Sequence, residues 1–200
     1  MPFVEDIKNK VERVTGWRRP SPDQLREVLR EPEALTYRFR DDGLVPNHPR
    51  WPCVIYRHAI SLPRSLDPAA VWEELFESNY WGSTWRDGIY DYTHYHSKIH
   101  EVLGIASGSG TIRLGGQKGR TLKIKAGDAI ILPAGTGHEC LRASATFLVV
   151  GAYPPAGSYD ECGLTVEEHE RAVKAVQRVA RPRIDPVFGP TGPLLKLWEP

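Results

Sequence analysis

The apolar positions change period near residue 35, and the change separates two kinds of structure. Over residues 3–14, Val4, Ile7, Val11 and Val14 form a helical stripe that ends at Thr15-Gly16. Ser21-Pro22-Asp23-Gln24 predicts a second helix start, with Ser as N-cap, Pro in the first helical position and Gln reaching back. Leu25, Val28 and Leu29 form its buried face. Residues 1–34 therefore read as a helical extension that packs on the main body or on a second subunit.

From Leu35 the pattern turns to strand-like pieces broken by Asp42-Gly43 and Pro46-Asn47. Cys53-Val54-Ile55-Tyr56 begins a strand running to about Leu62. Asp67-Pro68 opens a helix with Val71, Trp72, Leu75 and Phe76 on one face, ending near Asn79; Trp81 and Trp85 fall in the loop after it. Residues 88–153 then predict six or seven short strands, at about 89–96, 100–106, 110–115, 120–125, 129–132, 137–142 and 145–153. Many short strands with glycine turns read as a sandwich or barrel. Thr165-Val166-Glu167-Glu168 is a capping-box pattern for a helix to about Val179, which Pro182 terminates. The tail is expected to be extended and held by Leu195, Leu197 and Trp198. The fold class is mainly β, with residues 35–200 as one domain.

Composition narrows the function classes. With 26 basic and 25 acidic residues among 200, there is no electrostatic footprint for nucleic acid. No apolar run reaches the ~20 residues of a membrane span, and residues 1–16 lack a signal-peptide core, so a cytoplasmic protein is expected. The three cysteines lack CxxC spacing; a reduced state is the default, and a Cys53–Cys162 bridge stays open.

The chemistry concentrates in Gly88 to Arg142. His94 and His96 share a face if their segment is extended, because strand side chains alternate. Neutral imidazole is the commonest side-chain ligand for transition metals, and a carboxylate completes such sets. Glu101 has the wrong parity for one continuous strand, so a turn near Ser97-Lys98 must reset the phase. His138 arrives from a neighbouring strand. The expected site is thus His94, His96, Glu101 and His138 around one divalent transition metal (Fe, Mn, Ni, Co or Zn). Leaving four such groups buried and unpaired would cost several kcal/mol.

Other candidates follow by parity. Tyr90 and Tyr92 share the face of the two histidines, so they line the cavity or pack with satisfied hydroxyls. Cys140 and Arg142 share the face of His138: Cys140 as a small buried hydrophobe or a reactive thiol, Arg142 as a carboxylate clamp or a solvated strand end. These four are the catalytic candidates. His100, adjoining Glu101, faces away from the metal, toward solvent or behind a ligand. Glu139 and Lys98 read as exposed.

The spacing resembles the cupin superfamily. Its first motif, G-x5-H-x-H-x(3,4)-E-x6-G, is met by Gly88, His94, His96, Glu101 and Gly108. Its second, G-x5-P-x-G-x2-H-x3-N, is met by Gly127, Pro133, Gly135 and His138, with Arg142 in place of Asn. YRFRDDGLVPNHPRWP, GIYDYTHYHS, FLVVGAYPP and DPVFGPTGPLLKLW are similar to the YjlB-like cupins, so the resemblance covers about residues 35–198. It implies a single-domain jelly-roll β-barrel with peripheral helices, and a homodimer. A fold does not fix a reaction. Two readings follow: a metal-dependent enzyme, dioxygenase-like or isomerase-like, acting on a small oxygenated or anionic metabolite, or a non-catalytic binding and sensing protein in which the metal holds the ligand.

Overall fold

The strand-rich block pairs entirely antiparallel, and the four inner strands of its larger sheet are buried on both faces, while the two edge strands are not. A computed structural model describes residues 19–31 and 33–199; the helix expected over 3–14 lies outside them. The larger sheet has six strands: β1 (Glu33–Tyr37), β2 (Cys53–Arg57), β3 (Gly82–Asp87), β4 (Glu101–Ser107), β7 (Ala129–Leu132) and β9 (Leu148–Tyr153), in the order β1-β2-β7-β4-β9-β3. The smaller has β5 (Ser109–Leu114), β6 (Arg120–Lys125) and β8 (His138–Ala143), in the order β6-β5-β8.

Alternation along the large sheet decides what each face meets. Cys53, Ile55, Leu103, Ile105, Ile130, Leu132 and Val149 pack with Ile112, Leu114 and Ile124 of the small sheet. Their neighbours Val54, Tyr56, Val102, Ala129, Ile131, Val150 and Ala152 pack with Val71, Trp72, Leu75 and Phe76 of the helix α2 (Pro68–Ser78). A sheet covered on both sides needs near-continuous apolar strands, as AIIL of β7 shows. The fold is mainly β, a two-sheet structure with helices on the outer face.

The helix starts follow the local chemistry. The Ser21 hydroxyl accepts from the Gln24 N–H at 3.3 Å, and the Gln24 side chain accepts from the Ser21 N–H at 2.9 Å, opening α1 (Pro22–Val28). Leu25 and Val28 of α1 join the core on the outer face. Asp67 caps α2 by accepting from Ala69 N–H at 3.0 Å. Thr165 caps α3 (Val166–Val176) through Glu168 N–H at 3.2 Å, but the Glu168 carboxylate accepts from the Thr165 hydroxyl and Gly163 N–H, so the reciprocal return to the cap backbone is not made.

Several expectations are corrected. The strand expected over 89–96 does not form: His94 bridges His138 on one side while Tyr95 bridges Cys162 on the other, and the pairing slips between there and the Tyr90 carbonyl, which accepts from Cys140 N–H. The loop expected to hold Trp85 is instead β3, an edge strand whose residues are all exposed or half-buried, so it lacks an apolar alternation to read. The strand expected to run on to Leu62 stops at Arg57, because His58 turns to φ 49° and gives its N–H to Asp128. The helix expected to reach Val179 ends at Val176.

The tail is not extended. Residues 194–197 form a one-turn helix α4; Leu194 within it and Trp198, the residue that caps its end, are fully buried. Buried Asp185 organises this stretch by accepting from the N–H groups of Val187, Phe188 and Leu194 and from the Tyr56 hydroxyl. Trp198 donates to the Pro52 carbonyl at 2.9 Å and stacks on Trp51. All three cysteines are free, so no Cys53–Cys162 bridge forms. Among the described residues, no helix is long and apolar enough to cross a membrane.

Candidate metal centre

Four buried side chains meet at one end of the sandwich. Glu101 opens β4 on the face that Leu103 and Ile105 continue. His138 opens β8, just after the Pro133–Gly135 turn. Gly135 has φ +85°, and a Cβ there would come within 2.7 Å of Val176, so glycine lets this turn pack under α3. His94 is held against His138 by two backbone hydrogen bonds, 3.2 and 3.0 Å. The turn that resets the phase is built around Asp160, whose carboxylate accepts from Ser97 N–H (2.9 Å), Ser97 Oγ–H (2.5 Å) and Lys98 N–H (3.1 Å).

Each histidine ring is oriented from behind by a backbone carbonyl. Nδ1–H of His94 donates to Tyr92 at 3.4 Å, that of His138 to Thr136 at 3.1 Å, and that of His96 to Asp160. A carbonyl accepts only, so each ring places its proton on Nδ1 and keeps a lone pair at Nε2. The three rings each bring a nitrogen within 4.8 Å of the others, a group that can hold a metal ion. Glu101 Oε2 lies 3.4 Å from His96 Nε2 and 3.3 Å from His138 Nε2, yet it is buried and accepts no hydrogen bond. Acceptors facing one another in a buried space need a positive species between them, and the donor set fits a divalent transition metal.

The electrostatics show the same demand for positive charge beside Glu101. Burial pushes the Glu101 carboxyl up, but His138 and His96 outweigh it and hold it well below the usual carboxylate range. Burial and then the neighbouring His138 bring His94 down to about 3. Burial also lowers His96, but Glu101 more than offsets it and raises that ring.

The remaining candidates separate. Tyr90 lines the cavity beside the histidines. Tyr92 does not: it stacks on Tyr90 at 4.9 Å and donates to Glu161 at the surface. Cys140 and Arg142 stay outside the cavity; the β5–β8 register shifts between the Ile112–Cys140 and Thr111–Arg142 pairs, which ends the shared face for Arg142, while Cys140 keeps the register of His138 but lies farther along the strand. Cys140 is buried, with its thiol pushed up by burial, and Arg142 is exposed. His100 faces away from the histidine cluster, as expected, but neither toward solvent nor behind a ligand: it is fully buried, accepting from Ala134 N–H and donating to Ala180 O among Trp51 and Trp198. The expectation for Glu139 fails: it is buried too, bonded to Thr93 and Arg113.

Sequence reasoning missed Tyr153, Tyr159, Trp85 and Asp160. Val102 pairs with Ala152 in the β4–β9 ladder, so Tyr153 is the cross-strand neighbour of Glu101. Burial and then the Glu101 charge push its hydroxyl up. Trp85 pairs with Gly151, where any Cβ would lie 2.0 Å from the indole; glycine makes room for that ring in the cavity wall. The alternation in LVVGAY was the available signal, but only the ladder says what lies opposite.

The Cupin domain family matches residues 87–151. The chain is 40% identical over 168 residues to the uncharacterized protein YjlB of Bacillus subtilis (strain 168), covering 84% of this chain and 98% of that protein. A solved protein with a double-stranded β-helix domain from Klebsiella pneumoniae is 16% identical with TM-score 0.34, over 70% of this chain and 94% of that one. Acireductone dioxygenase from Bacillus anthracis, with a cadmium ion in its active centre, is 17% identical with TM-score 0.33, over 62% of this chain and 80% of that one. With the two-sheet fold and the histidine cluster at its end, the extent of the match to YjlB decides the family: the chain belongs to the YjlB-like cupins.

Proposed function

We propose that this protein is a metal-dependent enzyme acting on a small oxygenated metabolite, dioxygenase-like or isomerase-like, with His94, His96, Glu101 and His138 holding one divalent transition metal. The observation that carries the reading is the buried Glu101 Oε2, without a hydrogen bond, facing the Nε2 atoms of His96 and His138. When bound, such an ion supplies Lewis acidity to a ligand oxygen and, if redox-active, electrons for oxygen chemistry.

The chain's own groups set the conditions. The carbonyls of Tyr92, Asp160 and Thr136 fix the rings, which saves ordering on binding. The cavity of about 320 Å³ beside the cluster has room for a small molecule, and Trp85, Ile89 and Leu103 make part of its wall apolar and limit water. The Tyr153 hydroxyl, which accepts from Trp85 Nε1–H at 3.1 Å, keeps its proton and can donate it in a hydrogen bond to an oxygen in the cavity.

The test begins with elemental analysis of purified protein beside His96→Ala. About one equivalent of Fe, Mn, Ni, Co or Zn, lost in the variant, supports the site. Turnover of any substrate in a panel that survives both chelation and His138→Ala would sink the mechanism.

One observation favours a second reading, a non-catalytic binding protein. Apart from the four proposed ligands, the ionisable groups of the cavity wall are three tyrosines, Asp87 and an ion-paired arginine. The one carboxylate among them, Asp87, is exposed and already accepts from Gly88 N–H at 2.7 Å, so it is not held toward the metal cluster as a base. Saturable ligand binding without product across the same panel would select that reading.

A further inference from the structure

The charge of the cavity wall narrows the ligand, and this narrowing rests on the metal reading above. Among the described residues, Arg86 is the one Lys or Arg lining the cavity. Its guanidinium is already committed: Nε and Nη2 each donate to the Glu73 carboxylate at 2.7 Å, and Nη1 to Asp67 at 2.8 Å. Asp87 adds a negative charge beside it. Arg142 is outside the lining. A carboxylate on the outward end of a ligand would therefore face Asp87 and a guanidinium already neutralised by two carboxylates, with no unpartnered cation to receive it.

The rest of the wall is flat and aromatic. The Tyr159 ring lies 5.0 Å from the His96 ring and 5.6 Å, edge-on, from Tyr153. The Tyr90 ring lies 5.1 Å from His94. With Trp85 they surround the opening with π-faces, which favour a planar apolar partner. The cavity's size, about 320 Å³, lies at the small end of ligand sites and suits a single ring.

We propose that the site takes a small planar ligand whose negative charge is confined to two adjacent oxygens, of the catechol or enediol class, and that it discriminates against chelators bearing a second anionic group. The two oxygens face Glu101 and the histidines, and the uncharged end lies among Trp85, Tyr90 and Tyr159.

The experiment uses the full chain loaded with Zn(II), which is redox-inert, with zinc content measured on every sample. Binding of catechol, 3,4-dihydroxybenzoate and oxalate is followed by calorimetry. Catechol is expected to bind at least about tenfold more tightly than either acid, a difference of about 1.4 kcal/mol. Tyr159→Ala, at a residue that is 57% exposed and so dispensable for the core, is expected to weaken catechol severalfold with zinc content unchanged. Equal or tighter binding of 3,4-dihydroxybenzoate, or catechol binding unchanged in Tyr159→Ala, overturns this inference while leaving the metal reading intact. A failure to take up zinc overturns both.

Discussion

The indole Nε1–H of Trp85 donates to the Tyr153 hydroxyl at 3.1 Å, which joins the edge strand β3 to the residue opposite Glu101. The link exists because Gly151, paired with Trp85, offers no side chain to keep the indole off the sheet. Gly151→Ala puts a Cβ 2.0 Å from that ring, so Trp85 must leave and its bond to Tyr153 must break. Overpacking of this kind costs about 1–3 kcal/mol. Urea unfolding should show a lowered midpoint, together with a changed tryptophan emission; an unchanged midpoint would refute the packing role.

Metal loading should raise stability, because the ion binds a site that the unfolded chain lacks. At free metal 100-fold above Kd the gain is about 2.7 kcal/mol, or roughly 5–10 °C in Tm for a chain of this size. Thermal melts of loaded and chelator-stripped protein check this. Glu101→Gln should shrink the difference, since it removes the one buried anion of the cluster.

Asp160 supports the site from the turn after β9. Its carboxylate holds Ser97 and Lys98, and its backbone carbonyl orients His96. Asp160→Ala leaves buried donors unpaired and should cost about 1–3 kcal/mol. It should also weaken metal binding about 10-fold or more by letting His96 turn, measured by competition with a chromogenic chelator. Unaltered affinity would show that the Ser97-Lys98 turn holds without it.

Stability should fall in acid through His48, whose Nδ1 accepts from Arg50 and Trp51 N–H groups at 3.2 and 2.9 Å. Burial, and then the charges of Arg50 and Arg38, lower this ring to about 4. The unfolded chain takes up its proton near pH 6.5 and the folded chain only near 4, so the contribution is full above 6.5 and is lost as pH falls toward 4. His100 moves in the same direction. Comparison with His48→Asn isolates the one group: between pH 4 and 6.5 the variant should lose less stability, by up to about 1.4 kcal/mol per pH unit. Parallel curves for the two proteins would exclude His48 as the source.

What the sequence by itself determined is local. Side-chain alternation and glycine turns located the strands from β4 to β9 to within three residues at their ends, and Ser21, Asp67 and Thr165 marked the helix starts through hydrogen bonds spanning three residues or fewer. The spacing of His94, His96, Glu101 and His138 pointed to one meeting place, although the segment carrying the first two is a pair of bridges and not a strand. Tertiary structure alone decided what lies opposite what. Tyr153 reaches Glu101 through ladder register, Asp160 reaches Ser97 across 63 positions, and Glu139 and His100 are buried by partners distant in the chain. A strand's period names the face of a residue, but register, bulges and long-range hydrogen bonds choose its neighbour, and the character of the cavity wall depends on those neighbours.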